Sequence, residues 1–325
     1  MRLLAPAKVN LHLRVGPRRA DGFHPLLSWF VTVGLFDKLT LEEAAAGLYP
    51  SRQTPGHAGA GGATEGAAGI TLRCGLPGLP TDERNLVVQI ASAWGNATRG
   101  ERGPGHVGGV RATLTKQIPV GAGLGGGSSD AARVLLGLNQ LWGIDRAADR
   151  LSEFAARFGS DLPFFFFGPS SVCSGRGEIV RPVPRPKVGW MLLVLPGVSM
   201  PTVEVYRRFD AMGLGREQDL RDDEVDWDAW TKLGSEELLP RLVNDLEAPA
   251  FAIAPDLGAL RSEIERALGR TVRMSGSGSS LFTLYDDRGS AESGAAVVQE
   301  KTRQRALAVE VAPNFSDDLN APRGQ

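Results

Sequence analysis

The fold-deciding stretch of this 325-residue chain reads Lys116-Gln117-Ile118-Pro119-Val120-Gly121-Ala122-Gly123-Leu124-Gly125-Gly126-Gly127-Ser128-Ser129-Asp130-Ala131-Ala132, with five glycines in seven positions before a helix-forming sequence. Because glycine has no side chain, such a loop adopts positive φ angles and lets several backbone N–H groups converge on one anion. Ser128, Ser129 or Asp130 can cap the helix that follows, whose positive dipole end then points into the loop. The glycines from Gly121 to Gly127 are therefore predicted to cradle a phosphate group.

This glycine loop differs from two common nucleotide-binding loops. A P-loop carries Lys followed by Ser or Thr after its last glycine, whereas Ser128 follows Gly127 directly here. A dinucleotide fingerprint requires a second glycine where Leu124 stands. A purely structural glycine turn that caps a buried helix is the alternative, and the rest of the chain has to decide between the two.

Length and charge limit the classes of function. A prior of roughly 150 residues per domain predicts two domains, and the net charge of −1 gives no basic excess for nucleic acid or for a membrane surface. The first lysine, Lys8, follows too few apolar residues for a signal peptide, and no apolar run approaches the roughly 20 residues of a membrane span. We therefore expect a cytoplasmic protein without nucleic-acid or membrane partners.

The opening strand carries the second signal, because polar and apolar residues alternate from Ala7 to Val15. Alternation places one set of side chains on each face of a strand, so one face is predicted to carry Lys8, Asn10, His12 and Arg14. A half-exposed strand with solvated polar residues is the alternative interpretation. A turn at Asp21-Gly22 then delivers Phe23 and His24.

A third signal surrounds Asp161. This residue lies between a helix predicted from Ala148 to Phe158 and an apolar run, Pro163 to Phe167, that is predicted to form a strand. Its carboxylate would lie at the edge of a low-dielectric region, where it serves either chemistry or the capping of backbone N–H groups.

The chain changes organisation beyond about residue 183. Strands are predicted over Val188 to Leu195 and Ala306 to Val311, and helices over Val203 to Met212, Pro255 to Leu268 and Ser290 to Arg305. This order favours an α+β fold. The Gly-Ser run inside Met274 to Phe282 is either a mobile turn or a second anion nest facing the first. Residues 44–69 are predicted to form a flexible Ala/Gly-rich insertion, and residues 313–325 a frayed tail.

Taken together, these residues resemble the GHMP small-molecule kinase superfamily and, within it, the branch that acts on a cytidine-diphosphate-linked methylerythritol. The resemblance is carried by Pro6 to Leu11, Asp21 to His24, Pro119 to Ala132, Gly159 to Phe165, Gly175 to Glu178, Asn244 to Glu247 and Met274 to Phe282. It implies a two-domain α+β fold, with an N-terminal ATP-binding domain over residues 1–183 and a ferredoxin-like C-terminal domain over residues 184–312.

The resemblance also implies an activity and a set of site residues. The expected reaction is ATP- and Mg²⁺-dependent phosphorylation of the 2-hydroxyl of the methylerythritol moiety in non-mevalonate isoprenoid precursor synthesis, by a monomer or weak homodimer. Lys8 and Asp161 match the catalytic pair, and the backbone of residues 119–129 would hold the ATP phosphates. The metal ligands stay unassigned. The substrate would be bound by Asn10, Phe23, His24, Thr202 and Tyr206.

One departure and two alternatives accompany this resemblance. Phe23 stands where family members commonly carry Tyr, so a phenol hydrogen bond is lost although the ring face can still stack on a base. Another GHMP kinase, acting on mevalonate, homoserine or a sugar, would share the glycine loop but not the Asp21 to His24 element. A catalytically silent nucleotide sensor is the second alternative, against which the retention of Lys8 and Asp161 argues.

Overall fold

The computed structural model describes residues 1–43, 70–101, 109–222 and 225–320. The predicted flexible insertion over residues 44–69 lies outside the described residues, and so does the end of the predicted frayed tail, residues 321–325. No helix within the described ranges combines the length and apolar character needed to cross a membrane.

The first sheet is built entirely from strands that precede residue 183. Its strands are β1 (Arg2–Val15), β2 (Leu26–Glu43), β3 (Ile70–Cys74), β4 (Val110–Thr115), β5 (Ser170–Ser174) and β6 (Ile179–Pro182). They are ordered β3-β4-β2-β5-β6, with β1 paired antiparallel to β2. Helices α1 (Leu86–Ala97), α2 (Gly126–Leu141) and α3 (Ala148–Ala155) share one apolar core with this sheet. Because α1 crosses over between β3 and β4, these two strands run parallel.

The second sheet follows residue 189 and is antiparallel. Its strands β7 (Trp190–Leu195), β8 (Arg273–Met274), β9 (Leu281–Tyr285) and β10 (Arg305–Glu310) are ordered β10-β7-β9-β8. Its helices are α4 (Thr202–Ala211), α5 (Trp227–Trp230), α6 (Ser235–Leu238), α7 (Glu247–Ile253), α8 (Pro255–Leu268) and α9 (Arg288–Thr302). Helices separate β7 from β8 and β9 from β10, which is the ferredoxin-like arrangement. The predicted α+β fold class is therefore confirmed.

The two sheets share a core although they come from different parts of the chain. One cluster of buried side chains joins Val9 and Trp29 of the first sheet to Leu193 and Phe282 of the second. The separation of the sheets supports a domain boundary near residue 183, which stays a prediction. The shared core means that β1 is covered by protein on both faces.

The predicted polar face of β1 is correct for Lys8 and Asn10 but wrong for His12. The pairing with β2 is shifted between Asn10, which lies opposite Phe30, and His12, which lies opposite Trp29. This β-bulge turns His12 to the other face of the sheet, where its ring packs against Trp227 and Trp230 at centroid distances of 5.8 and 5.4 Å. All three polar residues are buried, so the alternative of a half-exposed strand is also wrong.

The apolar run after Asp161 forms a 3-10 helix, Pro163–Phe166, and the prediction of a strand there is wrong. Pro163 lacks the N–H group that a strand within a sheet would donate. The phenyl rings of Phe164 and Phe165 instead pack with Phe30 and Cys173 in a small buried cluster.

The described part of the tail, residues 313–320, is docked on the first sheet, contrary to the expectation of a frayed segment. Among the strands that the structure describes, β1 pairs with β2 alone, and at the start of its other edge the backbone N–H groups of Arg2 and Leu4 have no partner from these strands. Asp318 accepts from the Arg2 N–H at 2.6 Å, and Asp317 accepts from the Leu4 N–H at 2.9 Å. The carboxylates of Asp317 and Asp318 therefore accept hydrogen bonds from backbone N–H groups at the edge of β1.

Burial of His12 predicts acid sensitivity. Desolvation first, and the charges of Arg14 and Arg273 second, lower its pKa from 6.5 to about 3. Between pH 6.5 and about pH 3, His12 is protonated in the unfolded chain but stays neutral in the folded chain. The free energy of unfolding therefore falls on acidification by up to about 1.4 kcal/mol per pH unit. Urea unfolding of wild type and His12→Phe between pH 7 and pH 4 should show a shallower loss for the variant. Equal pH slopes would contradict the buried, neutral imidazole.

Candidate active site

A cavity of about 460 Å³ is lined by residues of the first sheet, by the glycine loop, and by helix and loop residues that pack around the second sheet. The lining includes the glycine loop from Pro119 to Ser128, together with Lys8, Asn10, Asp161, Thr202, Tyr206, Gly276 and Ser277. Ser129, which was predicted with the loop, is buried outside this lining. The structure therefore places most of the predicted site residues around one space.

The glycine loop has the backbone form that its sequence predicts. Gly121, Gly123 and Gly125 have φ angles of 71°, 75° and 63°, values that favour glycine. Gly125 is the N-cap of α2, so Ser128, Ser129 and Asp130 lie within the helix and the prediction that one of them caps it is wrong. Because the N-cap residue Gly125 has no side chain to accept from them, the N–H groups of the first turn of α2 are left available at the cavity wall.

The late Gly-Ser run packs directly on the glycine loop. The Ser275 hydroxyl donates to the Gly123 carbonyl at 3.1 Å, and the Ser280 N–H donates to the Ala122 carbonyl at 3.2 Å. A Cβ atom added at Gly123 would lie 2.4 Å from the Ser275 carbonyl oxygen, so the approach requires glycine. The run is thus a packing partner of the loop, and its residues Gly276 and Ser277 line the cavity.

Lys8 connects β1 to the loop and to Asp161. Its backbone N–H donates to the Leu124 carbonyl at 2.9 Å, and its Nζ lies 3.2 Å from Asp161 Oδ2. The same Nζ donates to Asn10 Oδ1 at 2.6 Å and lies 4.6 Å from the centroid of the Phe30 ring. The buried ammonium is therefore held by a carboxylate, an amide oxygen and a ring face.

The carboxylate of this pair is the more accessible partner. The Asp161 side chain is 35% exposed and the Lys8 side chain 5%, so the carboxylate opens into the cavity while the ammonium lies behind it. Burial, and after it the negative charge of Asp161, raises the pKa values of the Tyr206 phenol and the Cys173 thiol. Both groups are therefore neutral neighbours of the ion pair at physiological pH.

The predicted substrate residues divide into two groups. Asn10, Thr202 and Tyr206 line the cavity, and the Thr202 hydroxyl lies 2.9 Å from the Ser277 hydroxyl. Phe23 and His24 are not among the lining residues. His24 packs against Tyr206, with ring centroids 5.1 Å apart. Phe23 is half exposed, and the Arg176 guanidinium carbon lies 4.8 Å from the centroid of the Phe23 ring.

Besides the apolar residues Leu13, Leu26, Phe30 and Leu246, two groups of lining residues were missed from the sequence. One, around α1, comprises Leu79, Pro80, Arg84, Asn85, Leu86 and Leu114. Of these, only Asn85 carries a sequence signal, as the N-cap whose side chain accepts from the Val87 N–H. The other comprises Lys116 and Asp130, which flank the glycine loop and form a buried ion pair.

Similar proteins share both halves of the chain. Residues 85–169 match the family description "GHMP kinases N terminal domain", and residues 229–304 match "GHMP kinases C terminal". A protein of Syntrophomonas wolfei named 4-diphosphocytidyl-2-C-methyl-D-erythritol kinase is 34% identical over 283 residues, which are 87% of this chain and 88% of that protein. A protein of Desulfotalea psychrophila with the same name is 36% identical over 290 residues, 88% of this chain and 85% of its own.

Solved structures agree with this similarity. A crystal structure of 4-(cytidine 5'-diphospho)-2C-methyl-D-erythritol kinase has a TM-score of 0.71 and 34% identity, covering 97% of this chain and 100% of that one. A homoserine kinase from Cytophaga hutchinsonii has a TM-score of 0.63 at 18% identity, covering 95% of this chain and 94% of its own. The second similarity concerns the fold alone.

The packing of the Gly-Ser run on the loop can be tested at Gly123. Gly123→Ala combines a left-handed φ angle with a clash, so we expect a loss of about 2–4 kcal/mol in the free energy of unfolding. Gly143→Ala is the matched control, because Gly143 also has a positive φ of 63° but no atom lies within 4 Å of an added Cβ. The control should lose only about 1 kcal/mol. Equal losses in urea denaturation would contradict the close approach.

Proposed function

Because the chain belongs to the 4-diphosphocytidyl-2-C-methyl-D-erythritol kinase family of the GHMP kinases, it is a phosphotransferase, and we propose how its residues act. The reaction moves the γ-phosphoryl group of ATP to the 2-hydroxyl of 4-diphosphocytidyl-2-C-methyl-D-erythritol, in the non-mevalonate route to isoprenoid precursors. The observation that carries the residue roles is the Lys8–Asp161 pair, which opens into the same cavity as the glycine loop.

The ATP phosphates would be held by main-chain groups. The uncapped N-terminus of α2 and the positive-φ glycines before it supply N–H donors and the positive end of a helix dipole. The neighbouring lining residues Pro80, Leu86 and Leu114 are apolar and suit the nucleotide base, with Asn85 adding polar groups at the start of α1.

Asp161 would bind the 2-hydroxyl group of the substrate. Its exposed carboxylate can accept a hydrogen bond from the 2-hydroxyl and orient the oxygen toward the γ-phosphorus. A carboxylate is a weak base toward an alcohol, but phosphoryl transfer passes through a loose transition state, so the proton can leave late. Lys8, whose Nζ lies 3.2 Å from Asp161 Oδ2, would offset the negative charge that develops on the transferring oxygens.

Mg²⁺ would enter with the nucleotide. Within the described residues no group of three or more His, Cys, Asp and Glu side chains forms a metal site. Mg²⁺ would therefore be held mainly by phosphate oxygens and water, and Ser128, which lines the cavity, offers a loop hydroxyl as a protein ligand. When bound, the ion would neutralise charge on the β- and γ-phosphates.

The cytidine end of the substrate would lie toward α4. Thr202 and Tyr206 line that side of the cavity, and His24 supports the Tyr206 ring from behind. Phe23 offers one exposed ring face next to this group, which suits stacking on a pyrimidine. Asn10 holds the Lys8 ammonium rather than facing a ligand alone, and its amide donates to the Ser28 hydroxyl at 2.9 Å.

The roles of Lys8 and Asp161 predict the effect of their replacement. Asp161→Asn and Lys8→Met should each lower kcat by about 10²–10⁴-fold, because they remove groups that act on the reacting atoms. The dissociation constant for ATP should change by less than about threefold, since the loop amides remain. Asp256→Asn, which neutralises an exposed carboxylate in the first turn of α8, is the control and should retain wild-type kcat. Ordinary turnover in the Asp161 and Lys8 variants would reject these roles.

Substrate choice provides a separate test of the proposal. Wild-type protein with ATP should form ADP with 4-diphosphocytidyl-2-C-methyl-D-erythritol. Its kcat/KM for this substrate should be at least about 10³-fold above that for mevalonate, homoserine or a free sugar, because a substrate without the cytidine leaves buried polar groups of the site without hydrogen-bond partners. ADP release is measured in a coupled assay. Equal or better turnover of a cytidine-free alcohol would contradict the substrate, and folded protein that binds both ligands without forming ADP would indicate a nucleotide sensor.

A further inference from the structure

We infer that Lys116, Asp37 and Asp130 form a buried ionic staple that closes the two ends of the glycine loop and so positions its N–H groups for the triphosphate. Lys116 precedes the loop and Asp130 follows it directly, so the ion pair between them bridges the segment that holds the phosphates. This inference rests on the proposed function in one respect, because ATP is taken as the ligand of the loop.

The contacts of the staple join three elements. Lys116 Nζ, just after β4, lies 2.9 Å from Asp130 Oδ2 in α2 and also donates to Asp37 Oδ2 in β2. The second oxygen of Asp37 accepts from the backbone N–H groups of Gln117 and Ile118, at 2.5 and 2.9 Å. The entry to the loop is therefore bound to β2 by two amides and to the exit of the loop by one ammonium.

The staple is removed from water. The exposed fractions of the three side chains are 5% for Lys116, 0% for Asp37 and 2% for Asp130. Burial raises the pKa of Asp130, the Lys116 ammonium opposes that rise, and the Asp37 charge adds to it. Because a buried charge without its partner is costly, each member constrains the positions of the other two.

The N-terminus of α2 packs on the staple. A Cβ atom added at Gly126, the first residue of α2, would lie 3.1 Å from Lys116 Nζ and 2.9 Å from Cγ2 of Ile118. The helix N-terminus therefore lies directly on the stapled segment. A shift of the Lys116–Asp130 pair would move the first-turn N–H groups that face the phosphates.

A second buried ion pair on α2 offers a comparison within the same helix. Arg133 pairs with Asp317 of the docked tail, with side-chain exposures of 10% and 2%. This pair connects α2 to the C-terminal segment, whereas the staple connects α2 to the loop. Loss of either pair should lower stability, but only loss of the staple should weaken nucleotide binding.

The sign of the effect separates positioning from simple electrostatics. Removing the negative charge of Asp130 beside a triphosphate site would strengthen ATP binding if charge alone mattered. If Asp130 acts through Lys116 and the loop geometry, its removal weakens ATP binding, because the loop must then be ordered at the expense of binding energy.

The test compares three variants of the full chain: Asp130→Ala, Asp130→Asn and Asp317→Ala. Calorimetric titration with ATP should give a dissociation constant raised about tenfold or more for Asp130→Ala. Asp130→Asn should stay within about threefold of wild type, because its amide oxygen still accepts from the ammonium. Asp317→Ala, which removes the acceptor of Arg133 in the same way, should lower Tm yet leave ATP affinity within about twofold. Should Asp130→Ala not fold, Asp130→Ser replaces it, since its hydroxyl ends one bond short of the lost carboxylate oxygens.

Steady-state kinetics complete the design. KM for ATP should follow the dissociation constant, while KM for the cytidine substrate and kcat change by less than about threefold. Unchanged or tighter ATP binding in Asp130→Ala would overturn the staple, and so would an equal loss of ATP affinity in Asp317→Ala. Wild-type protein that binds ATP but forms no ADP with the cytidine substrate would contradict the proposed function alone, because the comparison of ATP affinities would still stand.

Discussion

The site depends on one ion pair between distant parts of the chain, Lys8 on β1 and Asp161 before the 3-10 helix. A buried ammonium needs compensating groups on every side, and here they come from Asp161, Asn10 and the Phe30 ring. The backbone of the same lysine donates to Leu124 of the glycine loop. One residue therefore fixes the distance between the carboxylate, the opening strand and the loop. Moving any one of them would leave a charge or a carbonyl unsatisfied.

The second constraint is the packing of the glycine loop between β1 and the Gly-Ser run. β1 holds one side of the loop through Leu124, and the Gly-Ser run before β9 holds the other side through Gly123. The ionic staple of Lys116, Asp37 and Asp130 connects the two ends of the loop. These contacts order the loop before any ligand arrives, and such preorganisation reduces the entropic cost of gathering several N–H groups around phosphates. The shared core between the sheets is what makes this arrangement rigid.

Local sequence signals predicted local structure well. The helix over Pro255–Leu268 has the predicted bounds and ends at Gly269 in the left-handed conformation, because its apolar period, first-turn proline and terminal glycine all agree. Two local predictions nevertheless failed, the strand at Pro163 to Phe167 and the side-chain cap of α2. Two further failures depend on long-range contacts. The bulge that turns His12 away from Lys8 is visible only in the pairing with β2, and the docked tail is explained only by the free edge of β1. At the site, the alternation of polar and apolar residues predicted that Lys8 and Asn10 lie on one face of β1. It could not show that Lys116 contacts Asp37 from 79 positions away, or that His24 lies behind Tyr206.

The most direct test of the account is a crystal structure of this chain with a non-hydrolysable ATP analogue and 4-diphosphocytidyl-2-C-methyl-D-erythritol bound together. The account predicts that the terminal phosphate contacts the N–H groups at the start of α2 and that the 2-hydroxyl oxygen lies about 2.6–3.2 Å from the Asp161 carboxylate, with Lys8 beside it. A terminal phosphate bound away from the glycine loop, or an alcohol whose 2-hydroxyl faces neither Asp161 nor Lys8, would contradict it.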